Sequence, residues 1–463
     1  MNMTQQLNWQ SLPMQANDDS VNHKFLLIID FSWFLKSRIA VLNKTVDLSY
    51  EQPNLNDTTD HQIMSKLTMD FCSDMRCMQH FVGDVLFAVD DARANLWRSK
   101  HEWMKPFWMK EDETTSEGLG YKGTRQYDKA INWLQVYRAA FKWLDLMKAH
   151  HGVAKIKVSE AEADDVIALF AKLCLSKGRN VAWYGTDKDL TQICKTDTNT
   201  GAMAVYAMIK NGCKANNWAK TRLIACDKLA QAKLLSCKPA SIVQPASIFD
   251  EMVGSANMQR LPQNPYEAVV AYADNLQVEQ IPSFLFYKIV LGDAGDNVPE
   301  LFAHMKKSGT KQCHLSIGCI YNALKSLDIE TDNAQPVDNE TLRYMTQHDL
   351  YDEELIVKFC DAAYKSFMKT DSTPSQMLDW LVARFAENRT MVCLDEHCIP
   401  SNIVDNFNYT MSFWDFNKSS TNIDALCDFH STFNELGLTI QVAAPQQADA
   451  KFADTFVNGL FGK

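Results

Sequence analysis

Acidic residues follow three apolar segments of this chain, at the point where each segment ends. Asp30 closes the first segment, Asp90 and Asp91 close the second, and Asp187 and Asp189 follow the third. Segments that are apolar on both faces are typical of strands buried in a parallel sheet. Because ligands of open parallel sheets bind beyond the carboxyl ends of strands, we expect these acids to meet in one crevice.

Two further acidic clusters lie outside these strand ends. The first is the run from Ser159 to Asp165, which contains Glu162, Asp164 and Asp165, and the second is a Gly-Asp-x-x-Asp-Asn turn with Asp293 and Asp296. Each cluster alone has a simple structural explanation. Ser159 and Glu162 have the spacing of a helix capping box, and Gly-Asp pairs are common in turns.

Taken together, the acids predict a site for divalent cations. Two carboxylates about 4 Å apart repel by roughly 4 kcal/mol at an effective dielectric constant of 20, so a crevice lined with them needs positive charge. Ligand sets made only of oxygen suit Mg²⁺ or Mn²⁺, and the lack of His and Cys in the clusters argues against zinc. Two such ions would activate a water and clamp the oxygens of an in-line phosphodiester displacement.

Basic residues lie where a phosphate would need them. Lys122 and Arg125, three residues apart at a predicted helix start, have the spacing to point at one phosphate, and Arg98 follows the second strand. Tyr121 would offer a stacking face for a splayed base. A solvated basic turn is the simpler explanation if the acids are ignored.

The pattern of segments predicts an α/β fold. Strands alternate with helices between residues 21 and 195, which indicates a mostly parallel sheet flanked by helices. The clearest helix is predicted to begin after Asp128, to end at Gly152, and to have one apolar face, formed by Ile131, Leu134, Tyr137, Phe141 and Leu144.

The remaining chain divides by composition. We expect a loose segment at 1–20, a mobile excursion at 99–125, a basic insertion at 196–285, a helical region at 286–440, and a linker with an apolar peptide at 441–463. The basic part of the insertion includes Lys210, Lys214, Lys220 and Arg222, and would form either a duplex contact or a solvated helical surface. In the excursion, Trp103, Phe107 and Trp108 are candidates for stacking on a single strand.

Composition limits the class of protein. The chain has 463 residues, 13 cysteines without a CxxC pair, and a net charge of −11. The cysteine pattern predicts a reducing cytoplasm, and the negative charge argues against a protein that coats nucleic acid by bulk attraction. Apolar stretches no longer than a strand, such as 25–29, predict no membrane span, and the polar start at 1–6 predicts no secretion signal.

The order of these motifs resembles the flap endonuclease and 5′→3′ exonuclease family, and within it the ribonuclease H of T-even bacteriophages. The resemblance is carried by Asp30, Asp90, Tyr121-Lys122-Gly-x-Arg125, Glu162-Ala-Asp164-Asp165, Thr-Asp187-Lys-Asp189-Leu and Gly-Asp293-x-x-Asp296-Asn297. It implies a PIN-like 5′-nuclease domain with a helical DNA-binding region, and a function in RNA primer removal during replication. The family's Gly-Ile-Gly turn after the last motif is missing, which puts its monovalent-ion site in doubt.

The resemblance also implies roles for individual residues. Asp30, Asp90, Asp165 and Asp187 would lie nearest the first of two Mg²⁺ ions, for which Mn²⁺ would substitute, and Asp189, Asp293 and Asp296 would serve the second. Glu162 and Asp164 would complete the set of metal-binding acids. Asp187 would also act as a catalytic residue. Lys122, with Arg98 or Arg125, would stabilise the transition state. Asp91 is the rival of Asp90.

The implied partners are DNA and RNA–DNA hybrid, and the protein would be a monomer in the cytoplasm of the host cell. Phe452, Phe456, Leu460 and Phe461 would dock on a sliding clamp or single-strand-binding protein, unless they pack on the body. A catalytically silent nucleic-acid-binding protein of the same fold and a PIN-like ribonuclease remain alternatives. Ser32 argues against an aspartyl phosphatase, and the absence of a Gly-rich turn after Asp30 argues against a nicotinamide enzyme.

Overall fold

A six-stranded sheet forms the centre of the protein. The computed structural model describes residues 24–49, 57–78, 82–109, 120–122, 130–185, 187–195, 197, 199–209, 221–224, 280–293, 295–305, 315, 317–327, 345, 348–414 and 421–438. The strands are β1 (Phe25–Asp30), β2 (Val82–Val89), β3 (Ala154–Lys157), β4 (Val181–Tyr184), β5 (Ala204–Ile209) and β6 (Thr221–Ile224). Their order is β3-β2-β1-β4-β5-β6, and only β6 runs antiparallel to its neighbour. The predicted α/β class is confirmed, and the sheet continues beyond residue 195.

Helices cover both faces of the sheet and form a separate region after it. They are α1 (Phe31–Leu42), α2 (Asp57–Met78), α3 (Trp133–His151), α4 (Ala163–Ser176), α5 (Gln280–Leu291), α6 (Ile317–Ser326), α7 (Glu353–Met368), α8 (Ser375–Val392), α9 (Ser401–Met411), α10 (Ile423–Cys427) and α11 (Phe429–Glu435). Within the described residues, none of them is long and apolar enough to cross a membrane.

Strand alternation divides the apolar core between the two faces of the sheet. In β1, Leu27 and Ile29 pack with α1, α2 and α3, whereas Leu26 and Ile28 pack with α4 and α9. A third core joins α5 to α8 and includes Trp103 from the chain after β2. The chain then returns to the sheet, because α10 and α11 pack on the α2 side. The last described helices therefore complete the cores on both faces of the sheet, α9 on the α4 side and α10 and α11 on the α2 side.

Helix α3 differs from its prediction in its start and in its buried face. Asn132, not Asp128, caps its N-terminus, and its carboxamide oxygen accepts the backbone N–H of Gln135 at 3.3 Å. Leu134 of the predicted apolar face is 82% exposed. The face that is buried is rotated from the predicted one but has the same helical spacing. Its small alanines allow close packing around the indole of Trp143. The buried face includes Val136, Ala139, Ala140, Trp143, Leu144 and Met147.

Candidate metal centre

Three strand ends place acids at one edge of the sheet. β1 lies between β2 and β4 and runs parallel to both, so the three strands end at the same edge. Asp30 ends β1, Asp90 follows β2, and Asp187 follows β4 after one short loop. The strand order reverses direction between β1 and β4, which is where open α/β sheets form a ligand crevice.

The first turn of α4 adds a fourth acid, Asp164, to this edge. The backbone N–H of Ala163 donates to Asp90 Oδ1 at 2.8 Å, which fixes the helix start beside β2. Asp90 Oδ2 accepts a hydrogen bond from Ser32 at 2.5 Å, so both oxygens of Asp90 are held. Asp91 binds different groups: its carboxylate lies 2.9 Å from the Lys157 ammonium and accepts the backbone N–H of Glu160 at 2.9 Å. Asp90, and not its rival Asp91, is the electrostatic neighbour of Asp30.

Mutual repulsion is strong among the acids around Asp30, which we call the first carboxylate group (Asp30, Asp90, Asp164 and Asp187). Burial, followed by the charge of Asp90, raises the pKa of Asp30 to about 7. Burial and the charge of Asp187 raise the pKa of Asp164 well above its ordinary value. One carboxylate oxygen of Asp164 is buried and has no hydrogen-bond partner. A divalent cation would neutralise these charges and would supply a partner for that oxygen.

Asp165 does not join the first carboxylate group, which differs from the role implied by the resemblance. Its carboxylate binds Arg98 Nη1 at 2.6 Å and Trp97 Nε1 at 2.9 Å, and also accepts the backbone N–H of Glu162. Glu162 is the N-cap of α4, so the predicted cap at Ser159 is wrong. Residues 164 and 165 point about 100° apart on a helix, and Asp164 is the one that faces Asp30 and Asp187.

Arg98 lies beneath the crevice and not in it. Its side chain is 2% exposed, and it binds Glu162 Oε2 at 3.0 Å in addition to Asp165. Its Nε donates to the backbone oxygen of Met391 at 3.0 Å, at the end of α8. Protein groups enclose its guanidinium in this geometry. Of the two arginines to which the resemblance assigns the transition-state role, Arg125 lies outside the described residues, and that role stays a prediction.

Lys122 is a cation that reaches the crevice. Its ammonium is 2.7 Å from Glu162 Oε1, and its side chain is 17% exposed. Burial opposes the shift, but the charges of Tyr121 and Glu162, with smaller contributions from Asp296 and Asp164, raise the pKa of Lys122 well above its ordinary value. Burial raises the pKa of Glu162, but Lys122 and Arg98 together outweigh this effect and leave it below its ordinary value. Glu162 therefore stays ionised between two cations and orients the lysine.

Tyr121 supports the site and does not offer a stacking face. Its ring is 6% exposed and packs in the third core, and Lys122 Nζ lies 4.9 Å from the ring centroid. Its hydroxyl lies 3.3 Å from Asp296 Oδ2. The predicted stacking role is wrong because the ring is covered by protein.

A second carboxylate group (Asp189, Asp293 and Asp296) lies beside the first. One oxygen from each residue lies within 4.8 Å of the others. Asp189 belongs to the short 3₁₀ segment Lys188–Ile193, and its backbone N–H donates to Asp187 Oδ1 at 3.0 Å. Asp187 of the first group and Asp189 of the second are two positions apart in the chain and joined by this hydrogen bond, so the two groups are adjacent.

The turn that carries Asp293 and Asp296 has a fixed backbone. Asp293 and Val298 exchange backbone hydrogen bonds of 2.9 and 2.8 Å. Gly292 has φ +72°, and a Cβ there would lie 2.4 Å from the carbonyl oxygen of Val298, so only glycine fits. Asn297 also has a positive φ, and its side chain donates to the Gly120 carbonyl at 2.8 Å, which joins this turn to Tyr121 and Lys122.

Lys288 enters the second carboxylate group and was not predicted from the sequence. Its ammonium is bonded to Asp189, and lies 2.7 Å from Asp293 Oδ2 and 3.8 Å from Asp296 Oδ2. Burial raises the pKa of Asp189 to about 6, with Lys288 opposing the shift and Asp187 adding to it. The available signal was a single basic residue in the last turn of the otherwise apolar helix α5, five residues before Asp293.

The predicted nucleic-acid contacts are only partly described. Arg125, Lys210, Lys214 and Lys220 lie outside the described residues, and Arg222 lies in β6, where its backbone pairs with Met208. The described part of the excursion is anchored to the third core. Trp103 is buried, so its indole is not available for a base. Trp108 is partly buried, and its ring lies 4.6 Å from that of Trp380. Phe107 is 45% exposed.

Comparisons with known proteins give only distant similarities. No protein-family model matches the chain, and no curated protein matches it. Among solved structures, the 5′-exonuclease of bacteriophage T5 with bound zinc has 13% identity and a TM-score of 0.39, over 84% of this chain and 98% of that chain. A T5 protein crystallised with metal ions has 10% identity and a TM-score of 0.38, over 84% and 98% of the two chains. A T5 flap endonuclease in a pseudo-enzyme–product complex with DNA and metal ions has 13% identity and a TM-score of 0.34, over 79% and 99%.

Proposed function

We propose that this protein is a divalent-metal-dependent 5′-nuclease that hydrolyses phosphodiesters. The observation that carries the proposal is that acids from separate elements meet at one edge of the sheet. Oxygens of Asp189, Asp293 and Asp296 lie within 4.8 Å of one another, and the acids of the first carboxylate group raise one another's pKa values. Separate elements of the fold contribute these acids, and burial keeps several of their pKa values raised. Such an arrangement is unfavourable without cations and suits a pair of hard ones.

The substrate class rests on the order of the sequence motifs. That order resembles enzymes acting on RNA–DNA hybrids and on 5′-flap or nicked duplex DNA, and we propose the removal of RNA primers during replication as the role. Mg²⁺ would be the resident ion and Mn²⁺ its substitute, and the protein would act as a monomer in the cytoplasm. Residues 441–463 lie outside the described residues, and their docking on a sliding clamp or single-strand-binding protein stays a prediction.

The side chains have separable tasks in this proposal. Asp30, Asp90, Asp164 and Asp187 would hold one ion, and the second carboxylate group would hold the other. When bound, the ions supply charge neutralisation at the phosphate and activation of water. Lys122, oriented by Glu162, would add positive charge at the phosphate as it gains negative charge in the transition state.

Arg98 has a positioning task. It binds the carboxylate oxygen of Glu162 that Lys122 does not bind, and it also binds the end of α8 through Met391. The orientation of Lys122 thus depends on contacts that reach the helical region. Arg98 itself would not touch the substrate.

Cleavage of two labelled substrates tests the proposal. A 5′-labelled flap duplex and a matching RNA–DNA hybrid would each be incubated with Mg²⁺ or with EDTA. We expect short 5′ products only with Mg²⁺, and none from Asp187→Asn. Asp145→Asn is the matched control, because Asp145 is 62% exposed and pairs with Lys155 outside the crevice.

Two results would replace the proposal with its alternatives. Binding of both substrates without cleavage in Mg²⁺ or Mn²⁺ would indicate a catalytically silent binding protein. Failure to cleave either of them, with cleavage of a single-stranded RNA incubated in parallel, would indicate a PIN-like ribonuclease.

The contribution of Lys122 has its own test. Lys122→Ala should lower single-turnover cleavage more than substrate affinity, because the charge matters most when the transition state forms. Equal losses in both quantities would place Lys122 in ground-state binding alone.

A further inference from the structure

Lys288 is held in contact with all three acids of the second carboxylate group. Its side chain is 5% exposed, and its ammonium forms ion pairs with Asp189, Asp293 and Asp296. Neighbouring residues of α5, Leu285, Phe286 and Ile289, are buried in the third core and fix the helix. The ammonium is therefore directed at these acids by the packing of α5.

The charges of this group are only partly balanced. Three ionised carboxylates and one ammonium leave two negative charges, which one divalent cation would neutralise. The ammonium faces one oxygen of each of the three carboxylates, and these are the same three residues whose oxygens lie close enough together to hold a cation. In the first carboxylate group, by contrast, Asp164 offers a buried oxygen without a hydrogen-bond partner.

We propose that Lys288 is the resident counter-ion of the second carboxylate group, and that a divalent cation binds there in competition with it. This inference rests on the proposed function and deepens it. The second group then binds its divalent ion more weakly than the first group does. The second ion is therefore gained and lost at metal concentrations at which the first ion stays bound. Lys288 thus sets the metal concentration at which the complete site exists.

A purely structural role for Lys288 predicts the opposite response to its removal. If the ammonium only holds the three acids in place, its loss lets them separate and weakens the binding of a divalent ion. If it competes with the ion, its loss frees three oxygens and one negative charge, and strengthens binding. The sign of the change in affinity therefore distinguishes the two roles.

Mn²⁺ binding to the protein without nucleic acid provides the measurement. Free Mn²⁺ would be followed by electron paramagnetic resonance during titration of the wild type, Lys288→Met and Lys288→Arg. Lys358→Met is the control, because Lys358 pairs with one exposed acid on α7. We expect Lys288→Met to tighten the weaker site at least about tenfold, equivalent to about 1.4 kcal/mol. Lys288→Arg and the control should keep the weak site.

Unchanged or weaker binding of the second ion in Lys288→Met would overturn the inference while leaving the proposed function intact. Absence of Mn²⁺ binding to the wild type would overturn both.

Thermal unfolding distinguishes competition for the metal from a loss of structure in the variant. In EDTA, Lys288→Met should melt below the wild type, because its three acids lack a counter-ion. Added Mn²⁺ should then raise its melting temperature by more than it raises that of the wild type. A smaller rise than in the wild type would assign Lys288 a structural role and refute the competition.

Discussion

Replacement of Arg98 tests whether this residue positions the site or acts on the substrate. The guanidinium is buried and binds two carboxylates, Asp165 at 2.6 Å and Glu162 at 3.0 Å. Arg98→Met removes the positive partner and leaves two buried carboxylates. Removing one partner of a buried ion pair costs about 3–5 kcal/mol.

The loss should appear as reduced stability without any metal or substrate. Urea unfolding in EDTA, followed by circular dichroism, should therefore show Arg98→Met destabilised by about 3–5 kcal/mol. Arg138→Met is the control, because Arg138 is 66% exposed in its pair with Asp60. An exposed pair of that kind contributes about 0–1 kcal/mol.

Cleavage measured below the melting temperature completes the test. The folded fraction of Arg98→Met should retain measurable cleavage, because Lys122 and the metal-site acids remain. A variant as stable as the wild type, but unable to cleave, would refute the positioning role. That result would restore the direct contact with phosphate that the sequence suggested.

Four further predictions follow from individual contacts. Asp164→Asn should raise the melting temperature in EDTA by removing a repelling charge, and should lose one bound Mn²⁺ in a titration; retention of both ions would contradict its place in the first group. The pKa of Asp30 is raised to about 7 from 3.8, so its contribution to stability is full below about pH 4 and is lost as pH rises through about 7. Melting scans in EDTA should show the melting temperature falling over this pH range. Asp30→Asn should reduce this fall, and saturating Mg²⁺ should suppress it. Gly292→Ala should cost at least about 1–2 kcal/mol because of its positive φ, and should weaken the second ion in an Mn²⁺ titration; normal binding would contradict the fixed turn. Ser32→Ala removes the 2.5 Å hydrogen bond to Asp90, worth about 1.5–3 kcal/mol, and calorimetry should show weaker binding of the first ion; unchanged affinity would show that Asp90 is held without it.

The parts of the fold that depend on local pattern were predictable from the sequence. β1, β2 and β4 are apolar runs bounded by acids, and their parallel pairing explains why Asp30, Asp90 and Asp187 meet. β3 escaped prediction because it lies at the edge of the sheet and only one of its four side chains is buried, so its sequence has no apolar run.

The parts of the site that depend on long-range contacts were not predictable. Sequence spacing cannot decide which of Asp164 and Asp165 faces the crevice, since this depends on the rotation of α4 about its axis. Lys288 meets Asp189 across 99 positions of sequence, and only the packing of α5 brings them together. The exposure of Tyr121 was overestimated because the third core that covers it is formed by distant helices.

Diffraction from crystals soaked in Mn²⁺ tests the central claim most directly, because anomalous scattering locates each ion without reference to activity. The proposed function predicts two peaks, one among Asp30, Asp90, Asp164 and Asp187, and one among Asp189, Asp293 and Asp296. Crystals of Asp164→Asn should lose the first peak. Saturated crystals without density at either group would contradict the claim that these acids form a two-ion centre.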